Sequence, residues 1–188
     1  MSVARRPRRR PGDGAAGIGS RAAAAAMHVD VSDRQKLLRV SARGIERLVR
    51  QALASEGVEA AEIGVVLVDD RRIAAIHRRW LGVPGPTDVI TFDLSAGTGL
   101  PRAALAGDIV VSAETARRVA RQVGWTPRQE LLYYVVHGLL HLTGHDDRTP
   151  TARRGMRARE RAVLRACGLP VPPRAGPPPG SRSTSLRP

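Results

Sequence analysis

Val135-Val136-His137-Gly138-Leu139-Leu140-His141-Leu142-Thr143-Gly144-His145-Asp146-Asp147 is the stretch around which the rest of the chain is organised. It gathers three of the five histidines, two adjacent carboxylates and a glycine placed where a helix can end. His137 and His141 are four residues apart, so on an α-helix their imidazoles leave the same face and can share one metal ion. Gly144 can take the left-handed backbone that stops a helix. The chain is then free to fold back and offer a third ligand, from Asp147 or from His145.

The flanking residues support this. Thr126 is a suitable N-cap, Pro127 fits the first helical position, and Gln129 completes a capping box. From Leu131 to Leu142 the helix is apolar on nearly every side, so it is predicted to be the buried central helix of the fold. Two imidazoles buried there each need hydrogen-bond partners, and one metal ion answers for both. The spacing is His-x3-His-x2-Gly-x2-Asp, which metzincin proteases share with a His in the last place. Asp147 stands at the spacing that returns the chain to the metal, whereas His145 is chemically the better ligand but two residues early. Asp146 is then left to orient a ligand or to help activate water. Two nitrogens and one carboxylate leave a coordination position open, which is the mark of a catalytic site. A zincin protease has Glu after its first His as general base, and here that place is Gly138, which argues against peptide hydrolysis by that route.

Outward from this helix the chain reads as alternating strands and helices. Met27–Val31, Ala61–Val68, Val89–Phe92 and Asp108–Ser112 have strand patterning. Ser41–Glu56, a segment capped by Asp69 or Asp70, Ala113–Val123 and Thr151–Ala166 have helical periodicity. In the second of these helices Ile73, Ile76 and Trp80 are predicted to face inward. The order is too irregular for repeated βαβ units. It predicts one α+β domain over 27–169, with a mixed sheet of about four strands flanked by helices. Residues 1–26, rich in Arg, Gly, Ala and Pro, are expected to be a disordered basic extension, or sequence upstream of a start at Met27. Residues 170–188, rich in Pro, Gly and Ser, are expected to be a disordered tail. The loop Ser95–Pro101 is expected to be flexible.

The net charge is +14, of which 1–26 contributes +5 and 170–188 contributes +3, leaving +6 on 27–169. A basic domain points to an anionic partner such as nucleic acid, and phosphodiester cleavage needs nearby cations. Aromatic residues are only 3% of the chain, so stacking platforms for bases must be few. Cys167 is the sole cysteine. It forms no intrachain disulfide, and its setting suits a small buried hydrophobe in a reducing compartment. No apolar run approaches a membrane span, and a cytoplasmic location is expected.

Four blocks in order make the sequence resemble the YbeY family of bacterial metal-dependent endoribonucleases, also called rRNA maturation factors. They are Asp70-x2-Ile73-x2-Ile76, Pro86-Thr87-Asp88-Val89-Ile90-Thr91-Phe92, Gly107-Asp108-Ile109-Val110-Val111-Ser112, and the histidine stretch to Asp146, with Met156 beyond. Together they span about residues 62–165. The resemblance implies an α+β fold and one zinc ion per chain at the histidine motif. It also implies single-strand-specific cleavage of RNA in rRNA processing, including 3′-end maturation of small-subunit rRNA, and in ribosome quality control. The implied partners are rRNA, single-stranded RNA and ribosome or small-subunit assembly components. The alternatives are a metallohydrolase of peptides or small molecules, and a non-catalytic ribosome-associated factor with structural zinc. Two features depart from the family. Asp147 replaces its usual third His, with His145 where it commonly has Tyr, which gives a His2Asp site. Leu81 replaces an Arg implicated in activity, and Arg78 and Arg79 are candidates to supply the lost charge. His77 sits where the family often has Asn and reads as a scaffold or groove residue. Thr87 and Asp88 either cap the following strand or line a substrate groove.

Overall fold

The computed structural model describes residues 27–95, 104–171 and 184–186. The N-terminal extension 1–26, all of the Ser95–Pro101 loop except Ser95, and most of the tail lie outside the described residues. In chain order the elements are β1 (Met27–Asp33), α1 (Ala42–Ser55), β2 (Ala61–Val68), α2 (Asp70–Leu81) and β3 (Val89–Asp93). They continue with β4 (Leu105–Ser112), α3 (Ala113–Val123), α4 (Pro127–Leu142), α5 (Pro150–Ala166) and β5 (Thr184–Leu186).

The strands form one mixed sheet in the order β1-β2-β4-β3-β5. β1, β2 and β4 are parallel, β3 runs antiparallel to β4, and β5 lies parallel to β3 on its outer side. The α+β architecture therefore agrees with expectation. The tail does not: Thr184–Leu186, inside the segment expected to be without structure, adds a fifth, three-residue strand.

Side-chain alternation sorts the sheet residues between two faces. Val29, Ile63, Val65, Ile109 and Val111 point to one face and form the main core with α1, α3, α4 and α5. Val68, Ile90 and Val110 point to the other and meet Ile73 of α2. The helix starts are set locally, since Ser41, Asp69, Ser112, Thr126 and Thr149 each accept a backbone N–H of the first turn. Trp80 does not face inward as its spacing predicts. It is 58% exposed, while His77, one turn earlier, takes the buried place beside Ile73. The Trp80 ring packs edge-on against Phe92, at 5.9 Å and 76°.

Helix α4 is buried from Glu130 to Leu142 because it lies directly on the sheet. Gly138 makes this approach possible. A Cβ there would come within 2.8 Å of Ile109 Cγ2 and 3.3 Å of both Thr91 Oγ1 and Val89 Cγ2. The face of α4 that carries Gly138 is thus pressed on β3 and β4. Among the described residues, no helix is long and apolar enough to cross a membrane.

A candidate metal centre at the end of α4

His137 and His141 stand one turn apart near the C-terminal end of α4, both almost fully buried. Their ring centroids are 4.7 Å apart with planes at 86°, and their Nε2 atoms approach to 3.2 Å. After Leu142 the helix closes by backbone bonds, Thr143 N–H to Leu139 O and Gly144 N–H to His141 O. Gly144 then takes φ +96°, the left-handed turn its position predicts. The turn brings Asp147 back, with its Oδ1 4.0 Å from His141 Nε2. One ligand atom each from His137, His141 and Asp147 lies within 4.8 Å of the other two.

The far side of each imidazole is held. His137 Nδ1 is 2.6 Å from Glu160 Oε1 of α5, a carboxylate only 3% exposed. His141 Nδ1 is 3.0 Å from the backbone carbonyl of His145. A carbonyl can only accept, so His141 carries its proton on Nδ1, and the Glu160 carboxylate selects the same tautomer for His137. Both Nε2 lone pairs are thereby aimed at the space shared with Asp147. Two lone pairs set face to face repel unless a proton or a cation lies between them. Tetrahedral zinc, with bonds of about 2.0–2.2 Å, sets its ligand atoms roughly 3.3 Å apart. The donor set therefore fits a divalent metal in spacing and in tautomer, and the carboxylate behind His137 is the usual orienting partner of a metal-bound imidazole.

Electrostatics separate the two histidines. Burial pushes His137 down, but the hydrogen bond and charge of Glu160, with Asp88 and Asp147 behind, outweigh it and hold the imidazole above its ordinary value. Burial and then the charge on His137 lower His141 to about 4, against partial compensation from Asp147. The stronger base of the pair is thus His137, and His141 stays neutral through the physiological range.

The predicted site residues divide clearly. His137, His141 and Asp147 are brought together. His145 is not a third ligand in this geometry, because its Nε2 is engaged 2.9 Å from Glu56 Oε2 and only its carbonyl serves the cluster. Glu56 is itself held by Arg159, whose Nε lies 2.5 Å from Oε1 and which also donates to the Ser55 carbonyl. Asp146 is not among the three grouped donors and accepts hydrogen bonds from Asp147 N–H and from Arg148. Slight burial opposes, but those bonds keep its carboxyl below the ordinary range. Arg78 and Arg79 are exposed on the last turn of α2, on the sheet face opposite α4, so the fold does not bring them to the histidines. Leu81 packs into the apolar cluster under α2. Thr87 and Asp88 are buried at the entry to β3. There Asp88 accepts from Thr87 Oγ1 and Val89 N–H and gives its carbonyl to Ser112 N–H, while its charge acts on His137. His77 pins the loop between α2 and β3 through Nδ1 to the Gly85 carbonyl at 3.0 Å.

Glu160 and Glu56 were not foreseen. Glu160 was within reach of pattern reading, since it lies on the apolar stripe Met156, Val163 and Leu164 of α5, where an unpaired carboxylate has no reason to be. Glu56 was not, because its link to His145 spans 89 residues.

A family profile described as endoribonuclease YbeY matches residues 30–168. The endoribonuclease YbeY of Anaeromyxobacter sp. (strain Fw109-5) is 41% identical over 143 residues, covering 76% of this chain and 73% of that protein. That of Desulforamulus reducens is 35% identical over 145 residues, covering 74% and 92%. Among solved structures, TM1509 from Thermotoga maritima in solution is similar with a TM-score of 0.51 at 22% identity, over 74% of this chain and 88% of that one, a likeness of fold. Profile and relatives match across the span that holds both the sheet and the histidine cluster, and on that ground the chain belongs to the YbeY endoribonuclease family.

Proposed function

We propose that the protein is a zinc-dependent, single-strand-specific endoribonuclease. It acts in the cytoplasm on rRNA precursors, including the 3′ end of small-subunit rRNA, and in ribosome quality control, with ribosomal or small-subunit assembly components as partners. The observation that carries this is the three-donor cluster of His137, His141 and Asp147 in a chain of this family. A nitrogen- and oxygen-rich donor set of three favours zinc with a free coordination position. When bound, such an ion supplies Lewis-acid polarisation of a phosphodiester and activation of the attacking water.

The protein's own part is to hold that donor set. Glu160 and the His145 carbonyl fix the Nδ1–H tautomers, so the Nε2 atoms need no reorganisation. Asp147 brings a negative charge that favours a divalent cation over an empty pair of imidazoles. The surplus positive charge of 27–169 attracts the RNA backbone. The peptide-hydrolase alternative is disfavoured because the place of the zincin glutamate, Gly138, faces β3 and β4 and has no room for a side chain.

The test combines metal analysis with cleavage of single-stranded RNA. His137→Ala should lose both bound zinc and cleavage. Chelator should silence the wild type and added zinc should restore it. Cells carrying only His137→Ala should accumulate small-subunit rRNA with unprocessed 3′ ends. Undiminished cleavage by metal-free protein would end this proposal.

A further inference from the structure

Of the chain's five aromatic residues, all among those described, Tyr133 and Tyr134 are buried. Trp125 packs partly buried against the main core, and Phe92 packs under α2. Trp80 alone stands open, 58% exposed at the end of α2. Burying an indole is worth far more than leaving it in water. The ring is also fixed in place. Phe92 packs at 76° to it, and the Arg79 guanidinium lies 5.6 Å from its centroid. Arg78 is exposed on the same turn, and among the described residues neither arginine forms an ion pair. Val83 and Leu94 are the other large hydrophobic side chains that stand exposed among the described residues. A flat apolar ring flanked by unneutralised guanidiniums matches one kind of ligand: a stacked base with its phosphates.

A cavity of about 260 Å³ on this sheet face is lined by Asp30, Glu62 and Asp108 together with Leu94, and its carboxylates repel a polyanion. Trp80 is also tied to the metal cluster by a short path. Eight residues on stands Asp88, whose charge acts on His137, and His77 pins the intervening loop at Gly85. An extended eight-residue path spans at most about 28 Å, within reach of a short oligonucleotide.

We propose that Trp80, Arg79 and Arg78 form a stacking platform that binds single-stranded RNA outside the metal cluster, Trp80 taking a base and the arginines its phosphates. The proposal rests on RNA being the substrate. In a Trp125→Phe protein, Trp80 is the only indole, so titration with a short uridine oligonucleotide should quench its fluorescence saturably. In the otherwise native chain, Trp80→Ala should weaken oligonucleotide binding about 10-fold, within the roughly 5- to 150-fold range of one stacked base. Its KM for RNA should rise accordingly, with metal content and melting temperature unchanged, and Trp80→Phe should recover most of the loss. Arg79→Ala should flatten the salt dependence of binding by about 0.7 in log–log slope. Unquenched fluorescence with unchanged KM in Trp80→Ala, in a protein that cleaves RNA, overturns the platform alone. A protein that neither binds nor cleaves RNA removes the platform and the RNase proposal together.

Discussion

At the scale of single residues, the cluster depends on atoms that do not touch the metal position. Glu160 is the clearest case. Its carboxylate accepts the His137 Nδ1–H in a site closed to water, so replacing it changes the tautomer, the basicity and the hydrogen-bond satisfaction of one ligand at once. Glu160→Gln keeps an acceptor and removes the charge, and metal affinity should fall about 10-fold. Glu160→Ala also strands a buried N–H, so affinity should fall nearer 100-fold and stability by about 1–3 kcal/mol. Competition with a chromophoric chelator, alongside urea unfolding, measures both. Wild-type metal affinity in Glu160→Ala would mean that the 2.6 Å contact does nothing for the ligand. The choice between His145 and Asp147 also belongs to this scale. Spacing favoured Asp147 without deciding the matter, because what removes the His145 ring is Glu56 on another helix, and no local pattern records that.

At the scale of elements, the sequence was most legible where the instructions were local. The Thr126 capping box, the Gly144 turn and the β-branched apolar run of β2 marked their elements closely. Trp80 was misplaced because periodicity states which residues share a helix face, not how far along the helix that face has a sheet beneath it. β5 was missed because a three-residue strand is defined by its backbone pairing with Ile90–Phe92, which side-chain pattern does not encode. Gly138 was read only as a missing glutamate, whereas its structural role is the contact of α4 with the sheet. Gly138→Ala should gain up to about 1 kcal/mol in helix propensity. It should lose about 1–3 kcal/mol to the Cβ forced against Ile109, Thr91 and Val89, β-branched residues with little freedom to yield. The net expectation is a protein less stable by about 1 kcal/mol in urea unfolding, and a Gly138→Glu protein that does not fold. A more stable Gly138→Ala would show that the helix can lift from β3 and β4 at no cost.

At the scale of the whole molecule, the cluster joins parts that are distant in sequence. α4 supplies the histidines, the following turn supplies Asp147, α5 reaches in through Glu160, and α1 is tied to the turn through Glu56 and His145. A ligand bound only by the folded state stabilises it by mass action, about 2.7 kcal/mol at 100 times its dissociation constant. For a chain of this size that is roughly 5–10 °C in melting temperature. The gain must depend on pH because metal and protons compete for the same nitrogens. In the metal-free protein the hydrogen bond and charge of Glu160 outweigh burial and hold His137 above its ordinary 6.5, so its Nε2 is the nitrogen at which protons compete most strongly with zinc. His141, lowered to about 4, adds a second displaced proton only in strong acid. For folding without metal the two oppose each other. The raised His137 stabilises below pH 6.5 and loses that contribution as pH climbs through its folded value, whereas the depressed His141 stabilises above 6.5 and loses its contribution as pH falls toward 4. Apparent zinc affinity should therefore climb as pH rises through the folded value of His137 and level off above it, with proton release of up to one per zinc over that window. The melting-temperature gain on zinc addition should grow in step. Calorimetric titration in buffers of different ionisation enthalpy counts that proton directly. A zinc affinity flat across this window, with no proton released, would place the metal on nitrogens other than those of His137.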